Sequence, residues 1–158
     1  MNMSVLRSVK AGQWITYSGK ITTIRDASAL KLRTQNKLAL DLDGRIIMYA
    51  APTNSQEVVI GPTTSSRMDD GLELLLKNGV VATIGKGARS KKAIELIKSY
   101  KAPYFVLASG VSAYLSGFFK GKRVIAFGEL GPEAMFELSA SGLLLLTAID
   151  SSGRSVFN

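Results

Sequence analysis

VVATIGKGARSKKAIELIKSYKAPYFVLA, residues Val80 to Ala108, is the stretch that decides the fold. It opens on an apolar run, Val80 to Ile84, closed by Gly85-Lys86-Gly87, which predicts a buried strand ending in a tight loop. Ser90 then stands where an N-cap is needed, ahead of a helix carrying Ala93, Ile94, Ile97 and Tyr100. Pro103 precedes a second strand, Tyr104 to Ala108. Strand, glycine loop, helix and strand in this order describe a parallel βαβ unit.

The same alternation continues outward. Upstream, Met68, Leu72, Leu75 and Leu76 fall on one helical face, and Asn78-Gly79 stops that helix. A loop from Gly61 to Ser66 precedes it, fed by a strand from Glu57 to Ile60, and the turn Asp43-Gly44 leads into a buried strand, Ile46 to Ala51. Nearer the start, Gln13 to Tyr17 and Lys20 to Ile24 read as two short strands separated by Ser18-Gly19. Asp26 reads as the cap of a helix holding Ala27 and Leu30, with Lys37 at its far end. Downstream, Gly110 to Phe119 reads as a short helix and Arg123 to Phe127 as a strand. Met1 to Ile60 and Ala134 to Asn158 are richer in strand than in helix. With no repeat, low-complexity tract or linker, residues 1–158 are expected to form one α/β domain with a mostly parallel core sheet and added β structure from the ends.

Composition then removes whole classes of chemistry. Neither cysteine nor histidine occurs among the 158 residues. That excludes a disulfide framework, a thiolate nucleophile, a cysteine-ligated metal or cluster on this chain, and any imidazole base or ligand. The 20 Lys and Arg outnumber the 12 Asp and Glu, a net charge of +8 that would suit an anionic substrate or an acidic partner. The charges are dispersed, without a run of five and without interleaved aromatics, so nucleic acid is not expected. Leu143 to Ile149 is too short to cross a membrane and no signal peptide is read at Met1 to Gly12, so a cytoplasmic location is expected.

Chemistry in such folds gathers at the carboxyl ends of strands. Gly61-Pro62-Thr63-Thr64-Ser65-Ser66-Arg67 offers four consecutive hydroxyls, amides at a helix start and a guanidinium. It fits either an anion site or an N-cap built from Thr64 or Ser65. Gly85-Lys86-Gly87 brings one ammonium to a strand end but lacks the first glycine of a Walker A loop. Arg25-Asp26 joins a strand to a helix, and Glu129 and Glu133 flank a turn at Leu130-Gly131-Pro132, where two solvated glutamates are the commoner outcome than an acid–base pair.

Taken together these segments resemble one family. LRSVKAGQWITYSG (Leu6 to Gly19), Arg25-Asp26-Ala27-Ser28, Met48-Tyr49-Ala50-Ala51-Pro52, Gly61-Pro62-Thr63-Thr64-Ser65-Ser66-Arg67-Met68-Asp69, Gly85-Lys86-Gly87 and Leu130-Gly131-Pro132-Glu133-Ala134 occur in the order of the beta part of class I iron–sulfur fumarases and L-tartrate dehydratases. The resemblance implies a swivelling β/β/α three-layer domain and a hydro-lyase subunit acting on a four-carbon dicarboxylate. It implies a four-iron, four-sulfur cluster held by a separate alpha subunit, and hence a hetero-oligomer. Carried over by motif, Arg25, Arg67 and Lys86 would bind substrate carboxylates, Thr64 would add a substrate-binding hydroxyl, and Thr63 would be the catalytic base. Two positions depart from the family: Ala29 stands where a histidine is usual, and Ala50-Ala51 replaces Ala-Gly before Pro52.

Overall fold

The computed structural model describes residues 3–35, 40–52, 60–107 and 117–157. Among these residues seven strands and four α-helices follow in the order α1 (Met3–Ser8), β1 (Trp14–Ile24), α2 (Asp26–Thr34), β2 (Ile46–Pro52), β3 (Ile60–Pro62), α3 (Asp69–Lys77), β4 (Ala82–Gly85), α4 (Lys91–Tyr100), β5 (Tyr104–Leu107), β6 (Phe119–Ala126) and β7 (Met135–Ile149). Strands β1, β2, β4 and β5 run parallel in that spatial order. β7 lies antiparallel to both β5 and β1, which closes five strands into a mixed barrel. The short β3 adds antiparallel to β2, and β6 to β7.

The apolar run in β2 shows why the central strands are continuous rather than alternating. Ile46, Met48 and Ala50 point into the barrel with Ile84, Phe105, Leu138 and Leu145, while Ile47 and Tyr49 face outward to Leu32 of α2 and Leu75 of α3. Both faces of β2 are therefore buried, as in sheets covered by crossover helices. On the other flank, Leu72 and Leu76 of α3 meet Ala93 and Ile97 of α4 over Tyr104 and Ile149.

Several boundaries differ from the sequence expectation. The first two strands are one: Ser18-Gly19 is a bulge and not a turn, because the residues before and after it pair with the same partner, β7. The space above Gly19 holds the Tyr17 ring, whose hydroxyl donates to the Lys20 carbonyl at 2.9 Å. Helix α2 is capped by Arg25 and not Asp26, which is its first helical residue, and it ends at Thr34; Lys37 lies outside the described residues. Residues 53–59 and 108–116 also lie outside, so the expected strand at Glu57 to Ile60 and helix at Gly110 to Phe119 are met only at their ends. There Ile60 opens β3, and Phe119 is already strand, the start of β6.

Candidate functional site

The carboxyl ends of β1, β2 and β4 lie side by side, and the loops after β1, β3 and β4 carry Arg25, Thr63, Thr64, Arg67 and Lys86. β1 ends at Ile24 and delivers Arg25 and Asp26. β3 returns along Ala50–Pro52 and delivers Thr63 and Thr64, then a 3-10 turn over Ser65–Met68. β4 ends at Gly85 and delivers Lys86, which forms an isolated parallel bridge with Thr64.

The two loops from β3 and β4 are bound tightly to each other. The Ser65 amide donates to the Lys86 carbonyl at 3.0 Å, and the Lys86 amide donates to Ser65 Oγ at 3.2 Å. The Tyr104 hydroxyl contacts Ser65 Oγ at 2.8 Å and the Gly87 carbonyl at 2.9 Å. A carbonyl only accepts and a phenol has one proton, so with Gly87 served, the Ser65 hydroxyl gives its own proton to Tyr104. Neither Thr64 nor Ser65 caps the helical turn with its side chain. The Thr63 amide donates to the Tyr49 carbonyl at 2.7 Å, so this amide and that of Ser65 are committed within the fold, beside the cations Arg25, Arg67 and Lys86.

Those cations stand at the surface. Arg67 pairs with Asp26 at 2.5 Å, the side chains 57% and 40% exposed. Arg25 lies 3.8 Å from Glu133, whose other oxygen accepts the Ala27 amide at 2.8 Å and thereby caps α2 from across the chain. Glu129 pairs with Lys31. Glu129 is exposed, as the commoner expectation had it, whereas Glu133 is half-buried and holds the start of α2 instead of standing solvated. Thr63 is buried, while Thr64 and Lys86 are exposed. Ala29 lines a small apolar crevice of about 10 Å³ with Leu32, Met68, Leu74 and Leu75.

Beneath the loops lies a polar cluster that sequence reasoning missed. Arg89, its side chain wholly buried, pairs through Nε with Asp69 Oδ1 at 2.5 Å and donates from Nη1 to Thr83 Oγ1 at 3.4 Å. Its guanidinium lies 5.2 Å from the Tyr49 ring centre and 5.0 Å from that of Tyr104. Burial pushes both phenols up, Tyr104 to about 12, against the opposing pull of hydrogen bonding and Arg89. Asp69 closes the G-P-T-T segment and Arg89 follows the G-K-G loop, but nothing in their 20-residue separation announces that they meet.

No described residues group three or more carboxylates as a metal site would require, and no described helix is long and apolar enough to cross a membrane. One edge of the α/β barrel thus presents the cations Arg25, Arg67 and Lys86 beside the Thr63 and Thr64 hydroxyls. The chain belongs to the family described as "Fumarase C-terminus", which it matches over residues 2–158. It is 34% identical over 166 residues to the "Putative L(+)-tartrate dehydratase subunit beta" of Methanocaldococcus jannaschii, covering 96% of this chain and 85% of that protein. It is 28% identical to the "Putative fumarate hydratase class I" of Geobacillus stearothermophilus and 27% identical to the aerobic class I fumarate hydratase of Escherichia coli K12. These alignments cover 96% and 90% of this chain but only 31% and 28% of those proteins, so the chain spans about three tenths of the fumarate hydratases. Its relatives are hydro-lyases, and it corresponds to their beta subunit or C-terminal part.

Proposed function

We propose that this chain is the beta subunit of an iron–sulfur hydro-lyase that adds water to, or removes it from, a four-carbon dicarboxylate, with fumarate and malate the first pair and tartrate next. The observation that carries this reading is the joining of the Thr63–Arg67 loop to the Lys86 loop at one barrel edge, with Arg25 and Asp26 beside them. Residues 1–158 would act as one swivelling β/β/α domain closing against an alpha subunit.

Two cations on separate loops suit the two carboxylates of such a substrate. Arg67 would grip one with its fork, Lys86 the other as a point charge, and Arg25 would add field from the β1 end. The exposed Thr64 hydroxyl would donate to a carboxylate oxygen. Thr63 would exchange the proton at the carbon next to the departing hydroxyl. A threonine hydroxyl needs a second group to take its proton, and Thr63 has no carboxylate partner among the described residues, so the alpha subunit would supply one.

Lacking cysteine and histidine, this chain has no donor set for a cluster. In the proposed complex the four-iron, four-sulfur cluster would be held by the alpha subunit and would supply Lewis-acid activation of the substrate hydroxyl.

The test is anaerobic reconstitution. The purified chain alone should not hydrate fumarate or dehydrate tartrate, and adding a cluster-bearing alpha subunit should start turnover. A complex that assembles yet never turns over would favour the other reading, a non-catalytic dicarboxylate-binding relative, which Ala29 in place of the family histidine motivates. Activity of the chain alone, or no assembly, would overturn the proposal.

A further inference from the structure

We propose that Arg89 is a positioning residue for this site: with Asp69 it locks the Lys86 loop onto the Thr63–Arg67 loop and so fixes the spacing of the two cations that would hold a dicarboxylate. The inference rests on the reading of the site given above, but the lock itself is a property of this chain alone.

A guanidinium stays charged at all accessible pH values, and replacing a buried ion pair by apolar side chains of similar volume is often neutral or stabilising. The wholly buried Arg89 is thus weak evidence of stabilisation, and its contacts carry the inference. Its Nη2 has no partner at good hydrogen-bond geometry among the described residues, although the buried Tyr49 hydroxyl is close enough to support its charge.

The geometry shows what the charge accomplishes. The Asp69 carboxylate takes Arg89 Nε on one oxygen and the Ser90 amide, at 2.8 Å, on the other. One carboxylate at the start of α3 thus holds two consecutive residues of the segment that follows Gly87. Nη1 reaches Thr83 on β4, and the guanidinium lies near the rings of Tyr49 on β2 and Tyr104 on β5. Tyr104 then carries the constraint upward, since its hydroxyl binds both Ser65 and Gly87, the residues that flank the two loops' contact. Arg89 is the common neighbour of every element beneath that contact, and it touches neither Lys86 nor Arg67 among its hydrogen bonds and ion pair.

A double-mutant cycle in the reconstituted complex separates positioning from general support. Arg89→Met should lower kcat/KM for the dicarboxylate about 30-fold, mostly through KM, and Lys86→Met about 100-fold. The double variant should be no more than about threefold worse than Lys86→Met alone, because a lysine that is absent cannot be misplaced. Multiplying effects would overturn the proposal. Arg89→Lys, which keeps the charge without the fork, should recover at most part of the loss and guards against a methionine variant that fails to fold.

Amide hydrogen exchange on the full isolated chain provides the second arm. The Lys86 amide, bonded to Ser65 Oγ, should exchange at least tenfold faster in Arg89→Lys, while Leu145 in β7 stays within twofold. Unchanged exchange at Lys86 would overturn the lock. If the wild-type complex shows no turnover, the hydro-lyase reading fails, and this arm still decides the role of Arg89.

Discussion

A β-carbon on Gly85 would lie 1.9 Å from the Ser65 hydroxyl oxygen, so the end of β4 and the loop after β3 meet at a point that admits only glycine. Ser65 cannot give way easily. It is fully buried, and its hydroxyl is held by the Lys86 amide and by Tyr104. Gly85→Ala should therefore lower stability by about 1–3 kcal/mol, the usual cost of overpacking, and should reduce turnover of the reconstituted complex more than tenfold. An alanine variant with wild-type Tm and full turnover would show that the two loops are free to separate.

Asp26 and Arg67 make the opposite kind of contact, an ion pair at the surface. Such pairs contribute about 0–1 kcal/mol, so Asp26→Asn should move Tm by no more than about 3 °C. Among the described contacts one nitrogen of Arg67 is bonded to Asp26, so in the proposed site the rest of the fork would take a substrate carboxylate with Asp26 as its orienting partner. The expected outcome is a rise in KM of about three- to tenfold. A fall in KM would instead identify Asp26 as a competitor for the guanidinium.

The raised phenols predict an alkaline weakness. Tyr104 moves from 10.0 to about 12 on folding, so its contribution is complete below pH 10 and is lost as pH rises toward 12, where the unfolded chain ionises first. Urea midpoints measured across that range should fall. In Tyr104→Phe the starting stability should drop by about 1–2 kcal/mol, because Ser65 and Gly87 lose a partner, but the alkaline decline should be shallower. Tyr49, also raised by burial, keeps the decline from vanishing. An unaltered slope would show that Tyr104 ionises freely.

Asp150 ties the two ends of the chain together. Its buried carboxylate accepts the Ala11 amide at 3.2 Å, the Ser152 amide at 2.9 Å, the Ser152 hydroxyl at 2.6 Å and the Arg154 amide at 3.2 Å. Burial opposes its ionisation, but these donors outweigh that and hold the carboxyl below its ordinary value of 3.8. The stability it confers is present above that value and is lost as pH falls through the lower folded one. Asp150→Ala should cost about 3 kcal/mol at neutral pH and flatten the acid limb, as followed by denaturation between pH 5 and pH 2. Equal stability at neutral pH would contradict this account of the turn.

What could be read from the sequence, and what could not, divides by distance along the chain. The βαβ run from Val80 to Leu107 was legible because glycine loop, Ser90 cap and helical period are local signals, and Ser90 does accept the Ala93 amide. Barrel closure was not, since it depends on β7 finding both β1 and β5, which no local pattern encodes. Ser18-Gly19 looks like a turn until its partner strand is known. At the site, the cations Arg25, Arg67 and Lys86 announced themselves by their loops. Arg89 did not, because a charged residue after a turn reads as solvated, and only the fold reveals that Asp69, Tyr49 and Tyr104 enclose it.

In the proposed complex this chain brings the proton-transfer group to a shared active site. Replacing Thr63 by valine keeps its shape and removes only the hydroxyl. Steady-state hydration of fumarate by the complex carrying Thr63→Val should show kcat reduced about 10²- to 10⁴-fold, with assembly and KM close to wild type. Turnover within a few-fold of wild type would contradict the account.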